Sequence, residues 1–153
     1  MSVDGLLAAD AVICDLKATS KKHLLQELAA QAADLCSLNE RVIFDALLER
    51  ERLGATSVGN GVAIPHARLP DIDSVYGIFT RLAQPIDYDA ADDEPVDLVF
   101  LLLAPESANN QHLRALARIS RLLKRPEIRA NLRGADGTQA LYSMLTEDHR
   151  RAA

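Results

Sequence analysis

The chain has 153 residues, a length that suits one domain burying about two-thirds of the surface its unfolded form exposes. Hydrophobic residues make up 48% and charged residues 25%, the balance of an ordinary globular protein, and the formal net charge is -5. Acidity without a basic tract argues against nucleic acid as a partner, because phosphate backbones call for clustered Lys and Arg.

The first ten residues, MSVDGLLAAD, lack the basic start and apolar stretch of a signal peptide. No apolar run approaches the roughly 20 residues of a membrane helix. The expectation is a cytoplasmic protein without membrane insertion. Residues 11 to 16, AVICDL, read as a short strand. Cys14 and Cys36 lie among aliphatic residues without CxxC spacing and read as buried, reduced thiols. From Ser20 to Cys36, Leu24, Leu25, Leu28, Ala32 and Leu35 recur at helical spacing and define one buried stripe. Asn39 suits the N-cap of a second helix running to about Arg52, with Val42, Ile43, Ala46 and Leu47 turned inward. Gly54 falls just past its end.

The next stretch, GATSVGNGVAIPHAR, is rich in glycine and ends on a histidine. Gly61 to Ile64 reads as a strand stopped by Pro65-His66, and Ser74 to Leu82 as another. Gln84 to Pro95 is turn-rich and acidic, a stretch that reads as a solvated loop. VDLVFLLLA, 96 to 104, is apolar on both faces, the pattern of a strand covered on both sides. Asn109 or Asn110 caps a helix to about Lys124, and shorter helices follow at 126 to 133 and 137 to 146. Arg114, Arg118, Arg121, Lys124, Arg125 and Arg129 follow helical spacing and read as a solvated face. Interleaved strands and helices without a linker or repeat predict a single α/β domain, a sheet with helices on both faces.

The glycines invite a nucleotide-binding reading, which fails on detail. Gly54 and Gly59 have P-loop spacing, but Asn60-Gly61 stands where Lys-Ser/Thr must be. Gly59 and Gly61 begin a GxGxxG pattern that Ile64 breaks, and the loop precedes a strand instead of following one. Two readings stay open for the loop: tight turns alone, or backbone N–H groups with the Thr56 and Ser57 hydroxyls converging on an anion. Ile64 is held extended by the proline after it, and Pro65 has its φ fixed, so the His66 ring is aimed. A rigid histidine beside donors suits an imidazole that carries or meets a phosphoryl group. His23 and His149 read as surface residues. His112 opens the helix after strand 96 to 104, beyond the end of a strand where open α/β sheets place sites; a local bond to the Asn109/Asn110 region is the alternative. No zinc spacing links these histidines to cysteines or carboxylates, so no metal is expected, nor is a GxSxG elbow present.

RERLGATSVGNGVAIPHARL, Arg50 through Leu69, resembles the active-site signature of the IIA components of the bacterial phosphotransferase system, mannitol/fructose class. GNGVAIPHARLP and the chain length resemble the nitrogen-regulatory branch, and NQHLRALARISRLL (110 to 123) resembles the family's second block. The resemblance implies one PTS EIIA type-2 domain over 1–153, built on a mixed sheet of about five strands flanked by helices. It implies that His66 accepts the phosphoryl group through Nε2, that His112 supports it, and that Arg50 of the Arg50-Glu51 pair stands near the site. Thr56, Ser57, Gly59 and Gly61 would form the phosphoryl-binding loop. Ala55 stands where the family often has Ser, and Ser57 where it often has Gly, which leaves the helping hydroxyl open. The implied donor is an HPr-like phosphocarrier (NPr), with regulatory targets reading the phosphorylation state and no cofactor required. The chain carries no fused IIB or permease segment, which favours regulation; transfer to a separate IIB and on to a sugar is the alternative.

Overall fold

A computed structural model describes residues 6–107 and 110–152, with side chains to Thr146. The elements are β1 (Leu7–Leu16), α1 (Lys21–Cys36), α2 (Glu40–Arg52), β2 (Ser57–Gly59), β3 (Val62–Ala63), β4 (His66–Leu69), β5 (Tyr76–Ile86), β6 (Val96–Pro105), α3 (Gln111–Leu123), α4 (Pro126–Gly134) and α5 (Thr138–Ala152). The strands form one mixed sheet in the order β1-β5-β6-β3-β2, with β4 also paired to β6. α2 packs on β4, α3 on β6 and α5 on β1, completing an α/β sandwich.

Local chemistry accounts for the first helices. The Ser20 hydroxyl accepts the His23 N–H at 3.1 Å, and Asn39 Oδ1 accepts the Val42 N–H at 3.1 Å. Each cap satisfies one of the donors that a helix start leaves unpaired. Leu24, Leu25 and Leu28 of α1 and Ile43 and Leu47 of α2 are fully buried, each contributing roughly 2 kcal/mol. Leu35 and Val42, expected inside, are 36% and 46% exposed. Both lie near the α1–α2 turn, at the edge of the surface the two helices bury against each other. Both cysteines are free and half-buried, less enclosed than expected, and burial raises each thiol's pKa.

β6 is the centre of the sheet and is buried along nearly its whole length. β5 runs antiparallel to it, and β3 and β4 run parallel on its other side. β5 extends past Pro85, beyond the end expected, because Ile86 re-pairs with Val96 after a register shift. That is where a strand tolerates proline. β3 and β4 share one lane on β6, interrupted at Ile64-Pro65. The chain does not leave the sheet at the histidine: the Pro65 carbonyl accepts the Leu102 N–H at 3.0 Å, and pairing resumes with His66 opposite Leu102.

Asn60-Gly61 is the two-residue turn of the β2–β3 hairpin. Its φ values of 58° and 80° are both positive, as the twist of a tight hairpin demands. The turn is held from outside. Asp92 Oδ2 accepts the Asn60 N–H at 3.1 Å, and Arg133 donates to the Asn60 carbonyl at 2.7 Å while forking onto Asp97. The acidic stretch is therefore not a merely solvated loop: Asp92 clamps this turn, and Tyr88 is fully buried. A Cβ at Gly61 would lie 2.5 Å from Arg133 Nη2 and 3.0 Å from Asp97 Oδ1. Gly61→Ala should cost about 2 kcal/mol and lower the melting temperature by roughly 5 °C, read by thermal denaturation. An unchanged melt would mean that the turn is not held as described.

Candidate functional site

The loop between α2 and β2, the break between β3 and β4, and the start of α3 meet at one end of the sheet. The break frees the Ile64 carbonyl from the β6 ladder, and His66 Nδ1 lies 2.8 Å from it. A carbonyl only accepts, so Nδ1 carries the ring proton. Arg50, at the end of α2, donates from Nε to His66 Nε2 at 3.2 Å and from Nη1 to the Gly54 carbonyl at 3.0 Å. Arginine only donates, so Nε2 presents a lone pair. Both neighbours thus select the same neutral tautomer.

His112 lies in the first turn of α3, 94% buried by its 6% exposure, with its ring centroid 5.2 Å from that of His66. Its Nδ1 has no hydrogen-bond partner. The local bond to Asn110 is not made: Asn110 stands in helical conformation, and its side chain caps nothing. Asn109 lies outside the described residues, as does the side chain of His149. His23 is away from the site, 3.3 Å from Glu27 on α1.

Burial is the main cause that lowers the His66 pKa, with Arg50's charge adding to it, while the Ile64 bond and Glu51 oppose it. Burial, His66 and Arg68 push His112 down to about 4. An unfolded imidazole takes its proton near 6.5. Between that pH and about 4 the unfolded state binds more protons, so stability is complete above 6.5 and is lost as pH falls. NMR titration should place the His66 midpoint below 6.5 and that of His112 near 4. Denaturant melts should weaken across that window, and midpoints at or above 6.5 would contradict the buried, neutral pair.

A cavity of about 350 Å³ opens beside His66, lined by Arg50, Ala55, Thr56, Ser57, Val58, Ile64 and, from α3, Leu116, Ala117 and Ser120. Ser57 faces it half-exposed. Thr56 borders it too, but its hydroxyl donates to Glu51 Oε2 behind the loop. Gly59 and Gly61 are not brought here. The Leu98 N–H bonds the Gly61 carbonyl, whereas His66 pairs with Leu102, four residues or about 13 Å further along β6. Those glycines serve the hairpin.

Tyr88, Lys21 and Arg68 escaped the sequence reading. Glu51, Tyr88 and Lys21 form a buried cluster behind the loop, and Arg68 stands two residues beyond His66 on β4, within electrostatic reach of His112. Only Arg68 had a local signal, the alternation of a strand that Pro65 hid. Among the described residues, no group of three His, Cys, Asp or Glu side chains is gathered as a metal site, and no helix is long and apolar enough to cross a membrane.

Residues 5–148 match the family model described as "Phosphoenolpyruvate-dependent sugar phosphotransferase system, EIIA 2". The chain belongs to this family, whose members are phosphoryl-transfer components, and it is a phosphocarrier of the IIA class. It is 54% identical over 145 residues to a nitrogen regulatory protein of Bradyrhizobium diazoefficiens, covering 95% of both chains. The crystal structure of nitrogen regulatory protein IIA-Ntr from Neisseria meningitidis superposes with a TM-score of 0.88 at 34% identity, covering 93% of this chain and 97% of that one. The chain is also 33% identical over 148 residues to the fructose-specific EIIABC component of Bacillus subtilis, covering 96% of this chain and 23% of that protein.

Proposed function

We propose that residues 1–153 are a single phosphoryl-carrier domain of the nitrogen-regulatory phosphotransferase system. His66 Nε2 accepts the phosphoryl group from a phosphohistidine on an HPr-like donor (NPr), and partner proteins respond to the phosphorylation state. The observation that carries this reading is the tautomer lock: Nδ1–H rests on the Ile64 carbonyl, and the Nε2 lone pair faces Arg50 at the cavity.

In the proposed step the donor's P–N bond breaks as the bond from Nε2 to phosphorus forms. The electron pair of the broken bond returns to the donor ring. Nε2 carries no proton, so none has to leave. Charge spreads over the three equatorial oxygens of the transferring group. Once its lone pair is in the new bond, Nε2 no longer accepts from Arg50. The guanidinium, still tethered at Gly54, can then turn its Nε–H to a phosphoryl oxygen as a charge-assisted bond. His112 supports the group from the adjacent ring position, and Ser57 supplies the free hydroxyl that Thr56 cannot. Leu53, 84% exposed, follows α2 and Leu113, 58% exposed, follows His112, so apolar surface for docking flanks the histidines.

Similarity to nitrogen regulatory proteins supports the regulatory output. The fructose-specific relative supports the second reading, in which the group passes to a IIB domain. Phosphorylated protein is mixed with candidate IIB proteins and followed by phosphorus NMR. Persistence of the phosphohistidine with state-dependent partner binding supports regulation, while rapid loss to a IIB supports transport.

A further inference from the structure

Glu51 adjoins Arg50 on α2 but points the other way, into the protein, with a side chain only 3% exposed. Its oxygens are fully occupied. Oε1 accepts the Thr56 N–H at 3.1 Å and Lys21 Nζ at 3.0 Å; Oε2 accepts the Thr56 hydroxyl and, at 3.0 Å, the Tyr88 hydroxyl. The Tyr88 and Thr56 oxygens are themselves 3.0 Å apart, and Lys21 Nζ lies 4.5 Å over the Tyr88 ring. Four donors match the acceptor capacity of one carboxylate.

A buried ion pair is weak evidence for stability, because apolar side chains of similar volume commonly do as well. What apolar packing could not do is grip the backbone of the loop. Arg50 holds the Gly54 carbonyl and Glu51 holds Thr56, so consecutive residues of α2 pin the loop at two points. The same Arg50 reaches His66 Nε2. Its direction therefore depends on where Gly54 sits, and Gly54 sits where the Glu51–Thr56 grip places the loop.

We infer that Tyr88 and Lys21 are positioning residues for phosphoryl transfer: by fixing the Glu51 carboxylate on Thr56, they set the loop that aims Arg50 at His66. The inference rests on His66 being the phosphoryl acceptor. Neither residue reaches the reacting atoms; Tyr88 is fully buried, and Lys21 contributes only its ammonium group. They come from distant parts of the chain, since Lys21 begins α1 and Tyr88 follows β5.

The test compares Tyr88→Phe and Lys21→Met with the unaltered protein. Tyr88→Phe keeps the ring and removes one hydroxyl; Lys21→Met acts at a partly exposed position and guards against a folding defect in the first variant. Phosphoramidate and a phosphorylated HPr-type carrier serve as donors, and proton exchange at Arg50 Nε–H is followed by NMR. Both variants should accept the group on the order of tenfold more slowly, with KM for the carrier unchanged, as expected of a small misalignment. Arg50 Nε–H should exchange faster in both. Unchanged transfer with unchanged exchange would overturn the inference, whatever happens to the melting temperature. Failure of the unaltered protein to be labelled at His66 by either donor would overturn the proposed function instead; the Arg50 exchange would still decide whether the cluster aims the guanidinium.

Discussion

His66→Gln should leave a folded protein that accepts no phosphoryl group. The side chain is half-buried and makes one backbone bond, from Nδ1 to Ile64, so its loss costs about 1 kcal/mol. A neutral amide nitrogen has no available lone pair to attack phosphorus, and acceptance should fall by a factor of at least about 10³, in line with removal of other nucleophiles. Intact-mass measurement after mixing with a phosphorylated HPr-type carrier checks this. The unaltered protein should gain about 80 Da, the mass of one phosphoryl group, and the variant nothing. His112 is the stringent internal control, because its ring lies only 5.2 Å from that of His66. Its lone unpartnered nitrogen could in principle be labelled. Burial, His66 and Arg68 keep that ring uncharged, yet it is enclosed at 6% exposure and nothing holds its Nδ1. Label on His112 in the variant would show that attack does not depend on the lock at Ile64 and Arg50.

Much of this site was legible because its causes are local. Pro65 fixes the backbone just ahead of His66, and Arg50 ends a helix whose cap, Asn39, is plain in the chain. Burial of 96 to 104 on both faces followed from nine residues without a polar face. The misread parts have non-local causes. Asn60-Gly61 carried the signature of a hairpin turn, but glycine reads equally as turn former and as anion cradle. Only the pairing of Gly59 with Val62 decides between them. Pro65 marked an end to its strand because a missing N–H is visible in sequence; the Pro65 carbonyl that carries the ladder onward is not. Thr56 looked like a phosphoryl ligand until its proton was found committed to Glu51. Tyr88 lies 37 residues from Glu51 among aspartates, and no periodicity points from one to the other.

Glu51→Ala should be the most destabilising single change at this end of the molecule. It leaves the Thr56 N–H and hydroxyl, the Tyr88 hydroxyl and the Lys21 ammonium without their shared acceptor. Removing one member of a buried ion pair costs roughly 3–5 kcal/mol, chiefly because the remaining groups stay desolvated. The lower end of that range applies here, since the Lys21 side chain is 19% exposed and can turn to water. Thr56 and Tyr88, at 6% and 0% exposure, cannot follow it. A loss of about 3 kcal/mol corresponds to a melting temperature lower by roughly 6–12 °C for a chain of this size. Glu51→Gln should lie between the two, because the amide keeps one accepting oxygen and turns an NH₂ group toward donors. Denaturant titration of all three proteins measures the ordering. If alanine and glutamine proved equally mild, within about 1 kcal/mol of the unaltered chain, the carboxylate would not be the anchor of the loop. If the predicted order holds, the residue next to Arg50 in sequence is also what keeps the Arg50 loop in place.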